Sequence, residues 1–384
     1  MTSSAAPRTL TFETVSSEES FAALAGEWDG LVRAMPRPSP ALLHGWLREW
    51  WRHYGDGAEL AIQVARSDGA LVGALPLCIK RKFGLRVLTF VGGDQTSLAD
   101  VLLAEGESSE VATALIERAT SVGHDFADLN GVPATGRLAT ALNGNVQLIE
   151  RSEAPVLDLS AGWDAVYQAK MSKKARSLHR RRRRQLAELG PVEVVVARTA
   201  DELLPALEDA FALHDVRWQG RPDGSRFSTP QGRRFHRAAI QALAEIDAAR
   251  IVTLKLDGRP IAFHYYFLLE GNMYVHRIAF DPALGRFSPG LINTLDALEI
   301  GAGEGATRVE FLGGAERYKL DLADRLEPLY QAIGMADTLR GATAVAGRTR
   351  AIRVRKFLKR SPALRRFYFD GLAPTRRLLA RIAP

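Results

Sequence analysis

Alternating apolar and polar positions predict a first strand over 9–15. A helix is then predicted over 18–33, with Phe21, Leu24, Ala25, Trp28 and Leu31 at three- and four-residue spacing. Pro36, Pro38 and Pro40 end it, and a second helix is predicted over 41–54. Strands follow over 60–66, 70–79 and 86–91, with Asp68-Gly69 as a hairpin signal and Gly92-Gly93 as a stop. A helix over 109–122 and a strand over 126–129 complete this half.

The second half repeats the order. A strand over 192–197 precedes helices over 201–218 and 231–246. Strands over 250–256, 261–269 and 272–280 come next, then a helix over 289–303 and a strand over 308–312. The Asp68-Gly69 and Asp257-Gly258 turns lie 189 residues apart, and the end strands at Leu129 and Leu312 lie 183 apart. Two landmarks at nearly one offset indicate an internal duplication of a β-α-α-β-β-β-α-β unit. Between the halves a helix begins near Lys173 and Lys174 and stops at Gly190-Pro191. Its stripe is Met171, Ala175, Leu178, Arg182, Leu186 and Leu189, and Arg180, Arg181, Arg183 and Arg184 fall off that stripe.

A chain of 384 residues, 46% hydrophobic and 25% charged, fits a globular protein of about two domains and excludes collagen, coiled coil and wholesale disorder. The lone Cys78 forms no internal disulfide or thiolate metal cage, and its apolar surroundings make it a buried strand residue. Charge adds more. The net charge is +7, yet residues 340–384 hold thirteen Lys and Arg against Asp370 alone, and residues 170–184 hold nine with no acid. The rest therefore carries −14, an acidic body bearing two basic elements. The N-terminal residues lack a basic segment followed by an apolar stretch, and no window approaches 18 apolar residues. A cytoplasmic protein is expected, free or peripheral at the inner face of a membrane.

Nucleotide-phosphate loops, the Gly-x-Ser-x-Gly elbow and His-Glu-x-x-His pairs are absent, the eight histidines are scattered, and no metal is expected. The stretch from Ala279 to Asn293 instead carries Arg286, Ser288, Pro289, Gly290 and Leu291 where a loop enters a helix, an arrangement that suits anions. It resembles the pyrophosphate loop of the GCN5-related N-acyltransferase (GNAT) fold, with Pro289 and Leu291 where small residues are usual. The run from Phe287 to Ile292, followed by Glu310-Phe311-Leu312-Gly313-Gly314 and Tyr318-Lys319, resembles the BioF2-like (CelD/BcsL-type) acetyltransferase domain associated with exopolysaccharide biosynthesis. Lys173, Arg176 and Arg180 upstream, with Trp218 and Arg221, fit that family. The tandem layout, basic helix and Tyr318-Lys319 are also similar to the Fem-type peptidyltransferases.

These resemblances imply an α/β (α+β) fold of two tandem GNAT-like units with mixed sheets flanked by helices. The units span 8–158 and 191–339, with a basic junction helix over 159–190 and a basic helical tail over 340–384. They imply an acyl-CoA-dependent N-acyltransferase, with acetyl-CoA as co-substrate, acting on an amine of a sugar, polysaccharide or cell-envelope precursor. The alternatives are a Fem-like transferase using aminoacyl-tRNA and a non-catalytic partner of exopolysaccharide biosynthesis. Acyl transfer needs a neutral amine, an oxyanion partner and a proton for the leaving group. Lys319 suits the second task and Tyr318 the third, while His264, His276 and Glu310 are base candidates on or beside central strands. His276 is also expected at the substrate, with Lys173, Arg176, Arg180, Trp218 and Arg221. In the tail, Leu364, Phe367, Tyr368 and Leu372, then Leu378, Leu379 and Ile382, make apolar stripes among arginines. Such segments lie on anionic membranes, dock onto an acidic body or bind nucleic acid.

Overall fold

The computed structural model describes residues 9–142, 144, 146–218, 226–314 and 316–360. Its first half runs β1 (Leu10–Val15), α1 (Glu18–Ala22), α2 (Ala25–Arg33), α3 (His44–Tyr54), β2 (Ala58–Leu60), β3 (Ile62–Ser67), β4 (Ala70–Leu75), β5 (Leu77–Lys82), β6 (Leu85–Phe90), β7 (Leu102–Leu103), α4 (Ser109–Thr120), β8 (Phe126–Pro133), α5 (Arg137–Ala141) and β9 (Val146–Asp158). Helices α6 (Trp163–Lys170) and α7 (Lys173–Ala187) form the junction. The second half runs β10 (Val192–Ala197), α8 (Ala200–Trp218), α9 (Pro230–Ala244), β11 (Ala249–Leu256), β12 (Arg259–Leu269), β13 (Asn272–Phe280), α10 (Pro289–Gly303), β14 (Arg308–Glu310), α11 (Arg317–Leu322), β15 (Arg325–Gly334) and α12 (Leu339–Arg360).

Three predicted elements are divided. The helix over 18–33 breaks at Ala23 and Leu24, and the junction helix breaks at Ser172, whose hydroxyl accepts the Ala175 N–H and caps α7. The strand over 70–79 breaks at Pro76, which has no N–H to give a ladder, so β4 and β5 enter different sheets. One sheet has the order β1-β3-β4-β7; the other has eleven strands, β10-β11-β12-β13-β14-β9-β15-β8-β6-β5-β2.

The duplication appears as pairing. In each half the strand that ends the meander runs parallel to the strand after the following long helix, β6 with β8 after α4 and β13 with β14 after α10, and both Asp-Gly turns take positive φ at both residues. An antiparallel strand lies beyond each parallel pair, and the halves exchange it. Strand β9 pairs with β14 through Val156–Asp158, whereas β15, from the far end of the second half, pairs with β8. The exchanged strands pair with each other from Val146↔Gly334 to Val156↔Arg325.

The core crosses the same junction. Trp46 on α3 packs edge-on against Phe235 of α9 and Phe267 of β12, at 4.9 and 5.4 Å between ring centroids. A Cβ on Gly45 would lie 2.8 Å from the Ala242 Cβ, so α3 and α9 meet at backbone distance. Fully burying a side chain such as Phe267 stabilises by about 1.5–3 kcal/mol, and here it ties the halves into one body.

Candidate active site

Alternation along β12 sorts the second half's sheet into two faces. Phe263, Tyr265 and Phe267 join a cluster with Phe211 of α8 and Phe235 of α9, while Tyr266 joins Leu295 and Leu298 of α10. Helix α10 therefore covers one face, and α8 and α9 cover the other. Strands β13 and β14 pair only over Asn272–Tyr274 and Arg308–Glu310. Where they part, a cavity of about 750 Å³ opens, with walls from Tyr274–Phe280 and Phe311–Gly313.

The α10 side of the cavity is a helix entrance. Gly285, Ser288, Gly290, Leu291 and Thr294 line it. Asp281 caps the preceding turn by accepting the Ala283 N–H, and Ser288 then adopts a left-handed conformation at φ 55° that redirects the chain into α10. The Leu291 and Ile292 N–H groups both donate to the Ser288 carbonyl, which leaves the Gly290 N–H without an intrahelical acceptor. Glycine is required there, since a Cβ would stand 2.6 Å from the Phe280 ring. Pro289 is buried behind the turn, and Arg286 is exposed beside the cavity with its guanidinium 4.6 Å from the Phe287 ring centroid.

Across the gap, Tyr318 and Lys319 on α11 line the cavity. Burial, reinforced by the Glu316 carboxylate, raises the Tyr318 phenol above its usual range, so it keeps its proton at neutral pH. Lys319 is buried, and its ammonium pairs with Glu316 at 2.9 Å.

A β-bulge shapes the third wall. Tyr265 pairs with Arg277 and Tyr266 with Val275, so His276 has no cross-strand partner. The extra residue turns both His276 and Arg277 toward the α8–α9 face. The His276 ring lies 5.4 Å from Trp46 and 5.3 Å from His236, and Arg277 lies over the Phe227 ring at 6.0 Å. Burial, followed by the Arg277 charge, holds His276 well below the usual imidazole range. His214, Arg217 and Trp218 of α8 complete this side, with His214 stacked on Trp218 at 5.8 Å.

Other expected residues lie elsewhere. His264 is fully buried on the α10 side of β12 and does not line the cavity; burial, then the nearby Lys319 charge, pushes it down to about 3. Glu310 is also outside the cavity. Its carboxylate accepts from Arg37 Nε at 2.7 Å and from Arg308 Nε at 2.7 Å, and Arg37 also pairs with Glu327 at 2.7 Å. It is a latch between the Pro36–Pro40 segment and the sheet, with no free oxygen facing a substrate. Lys173, Arg176 and Arg180 sit on α7, away from the cavity, and Arg176 donates to the Gln168 and Met171 carbonyls. Arg221 and the apolar stripes over 364–382 fall outside the described residues. The described start of the tail, α12, buries Ile352 with Phe126 and Ile333 and pairs Arg348 with Asp128 at 3.3 Å.

The sequence reading missed the first half's contribution. Ser39, Gln95 and Ser97 line the cavity, the last two from the loop after β6. Gly92 permits that loop, with φ 100° and a Cβ position only 1.8 Å from Thr96 Oγ1. The Gly92-Gly93 pair was the available signal, read only as a stop.

A sheet split beside a helix entrance, with an acid and a cation opposite, is the architecture of an acyl-transfer site. Residues 173–320 match the family model of the acetyltransferase (GNAT) domain. Residues 173–320 are thus similar to an acetyltransferase (GNAT) domain, and the chain has a tandem GNAT-like fold. Among solved structures it is similar to FemX, at 14% identity and TM-score 0.59 over 80% of this chain and 95% of that one. It is also similar to the C-terminal domain of a lysylphosphatidylglycerol synthetase homologue from Agrobacterium fabrum, at 13% identity and TM-score 0.54 over 86% and 96%. A tandem GNAT protein from the clavulanic acid biosynthesis pathway aligns at 13% identity and TM-score 0.50 over 86% and 100%. No curated protein sequence matches the chain. Among the described residues, no helix is long and apolar enough to cross a membrane.

Proposed function

We propose that the cavity transfers an acyl group from acyl-CoA, with acetyl-CoA the simplest donor, to an amine of a sugar, polysaccharide or cell-envelope precursor. The observation that carries this reading is Gly290 at the start of α10, which lines the gap where β13 and β14 part and whose N–H has no intrahelical acceptor. A helix N-terminus attracts phosphate oxygens through its unsatisfied N–H groups and its dipole. A pyrophosphate held there would let a pantetheine arm lie along the open edge of β13, with the thioester between His276 and Lys319.

In this reading a neutral amine attacks the thioester carbonyl, forming a C–N bond and a negative oxygen stabilised by Lys319 Nζ. The amine proton leaves through solvent at the open side of the cavity, because burial and the Arg277 charge disfavour an imidazolium at His276. Collapse breaks the C–S bond, and Tyr318 supplies a proton to the departing thiolate. Release of free CoA thiol can be followed with a panel of amino sugars. Cys78 will not interfere, because burial pushes its thiol up to about 12. Lys319→Ala is expected to lower the rate about 100-fold. Equal rates in the variant, or no amine-dependent thiol release at all, would overturn the assignment.

An aminoacyl-tRNA donor is the second reading, supported by α7. Lys173, Lys174, Arg180, Arg181 and Arg184 are exposed on this helix, which packs against the turn Pro282–Phe287 before α10. Binding of tRNA that weakens steeply with salt, together with absent acetyl-CoA binding, would favour it.

A further inference from the structure

The cavity wall holds two arginines, Arg217 and Arg277, that the acyl-transfer steps above do not use. Arg277 stands on the α8–α9 face, opposite the helix entrance of α10, and among the described residues no carboxylate pairs with it. Its hydrogen bonds are to neutral acceptors: Nη1 donates to the His276 carbonyl at 2.8 Å and Nη2 to Gln95 Oε1 at 3.4 Å, while Nε is buried without an acceptor. Arg217, in the same wall, lies over the Phe280 ring at 4.7 Å and likewise has no carboxylate partner among the described residues. Burial pulls the Arg277 guanidinium down to about 10, the sign of an uncompensated cation, and it remains charged at neutral pH. A guanidinium kept in a cleft without a counter-ion costs stability unless something else supplies the negative charge. The adjacent imidazoles of His214 and His276 carry no negative charge in either protonation state, and burial holds both below the usual imidazole range.

We infer that the acceptor carries an oxyanion as well as its amine, a carboxylate or a phosphate, and that Arg277 with Gln95 receives this group on the face opposite the acyl donor, with Arg217 adding to the field. The inference rests on the acyl-transfer reading for the word acceptor, but the anion site itself does not depend on which donor binds. The planar guanidinium offers paired donors to either oxyanion. Two cations in the wall also lower the basicity of a nearby amine, which favours the neutral nucleophile that the reaction needs. Because Gln95 comes from the loop after β6, the first half of the chain would contribute to acceptor choice while the second half holds the donor.

Matched probes test this by calorimetry: glucosamine 6-phosphate against glucosamine, and L-alanine against L-alaninamide, each titrated into wild type, Arg277→Gln and, as a charge control, the exposed Arg81→Gln. The expected result is that the anionic member of at least one pair binds tenfold or more tightly than its neutral counterpart. That preference vanishes in Arg277→Gln and survives in Arg81→Gln. The phosphate and carboxylate arms identify which oxyanion is used. Acetyl-CoA, titrated separately, should bind Arg277→Gln within twofold of wild type, so a failed donor assignment reads out independently of a failed anion site. Thermal melting separates binding from a structural role: without ligand, Arg277→Gln should melt at or above the wild-type temperature, because an unpaired buried charge is removed. Absence of any charge preference in both pairs, a preference that persists in Arg277→Gln, or a variant that loses acetyl-CoA instead would overturn the inference.

Discussion

Single residues decide how the protein responds to pH. Six histidines, His44, His179, His214, His236, His264 and His276, are held below the ordinary imidazole range, with burial the first cause in each. A histidine whose folded pKa is depressed takes up its proton more readily when the chain unfolds. Its contribution to stability is complete above about 6.5 and is lost as pH falls toward the folded value, which is about 4 for His214 and about 3 for His264. Each such group steepens the loss by up to about 1.4 kcal/mol per pH unit within its window. Asp100 and Asp296, raised by burial, act in the opposite direction. Melting temperature is therefore expected to fall between pH 7 and 5, and less so in His214→Gln; an unchanged slope in that variant would refute the assignment. The same scale shows what a sequence can disclose. Tyr318, Lys319, Ser288 and Gly290 were legible because they stand in a compact motif. Arg277 was not, because a basic residue in Val275-His276-Arg277-Ile278 reads as the solvent side of a strand until the bulge turns it inward.

At the scale of elements, period and punctuation identified the meanders and most helices, while the two exchanged strands escaped notice. Strand β9 alternates poorly, is exposed over much of its first part and contains Pro155; β15 contains Pro328. Proline normally argues against a central strand because it cannot donate to the ladder. Here the Pro155 carbonyl accepts the Phe311 N–H and the Pro328 carbonyl accepts the Ala134 N–H. Partners distant in sequence thus make the strands possible. The exchange also explains Glu310, which reads as a catalytic carboxylate from its motif but is fully buried between Arg37 and Arg308. Removing one member of such a buried network leaves an uncompensated charge. Arg37→Ala is expected to destabilise the protein by roughly 3 kcal/mol, measured by chemical denaturation. A change below about 0.5 kcal/mol would mean that the latch contributes little.

Across the whole molecule, the uneven charge acquires a geometry. Part of the basic junction is structural, with Arg183 on Asp296 and Lys170 on Asp324, both at 2.5 Å, while the exposed face of α7 stands against the turn that leads into α10. A field of that sign beside the helix entrance would concentrate phosphates at the same place where the free N–H waits, and exposed charges act over about 8 Å at physiological salt. The two halves are unequal in consequence. Among the described residues, the helix entrance that lines the cavity is the second half's, and the first half lends Ser39, Gln95 and Ser97 to it. The central claim is that this entrance binds an acyl-CoA. Equilibrium dialysis of the full chain against labelled acetyl-CoA tests it most directly, with Gly290→Glu, whose side chain would meet Phe280 and place a negative charge at the helix start, as the matched variant. The account predicts saturable binding near one equivalent in the wild type and at least a tenfold weaker affinity in a folded Gly290→Glu; absent binding, or equal affinity in the two proteins, would contradict it.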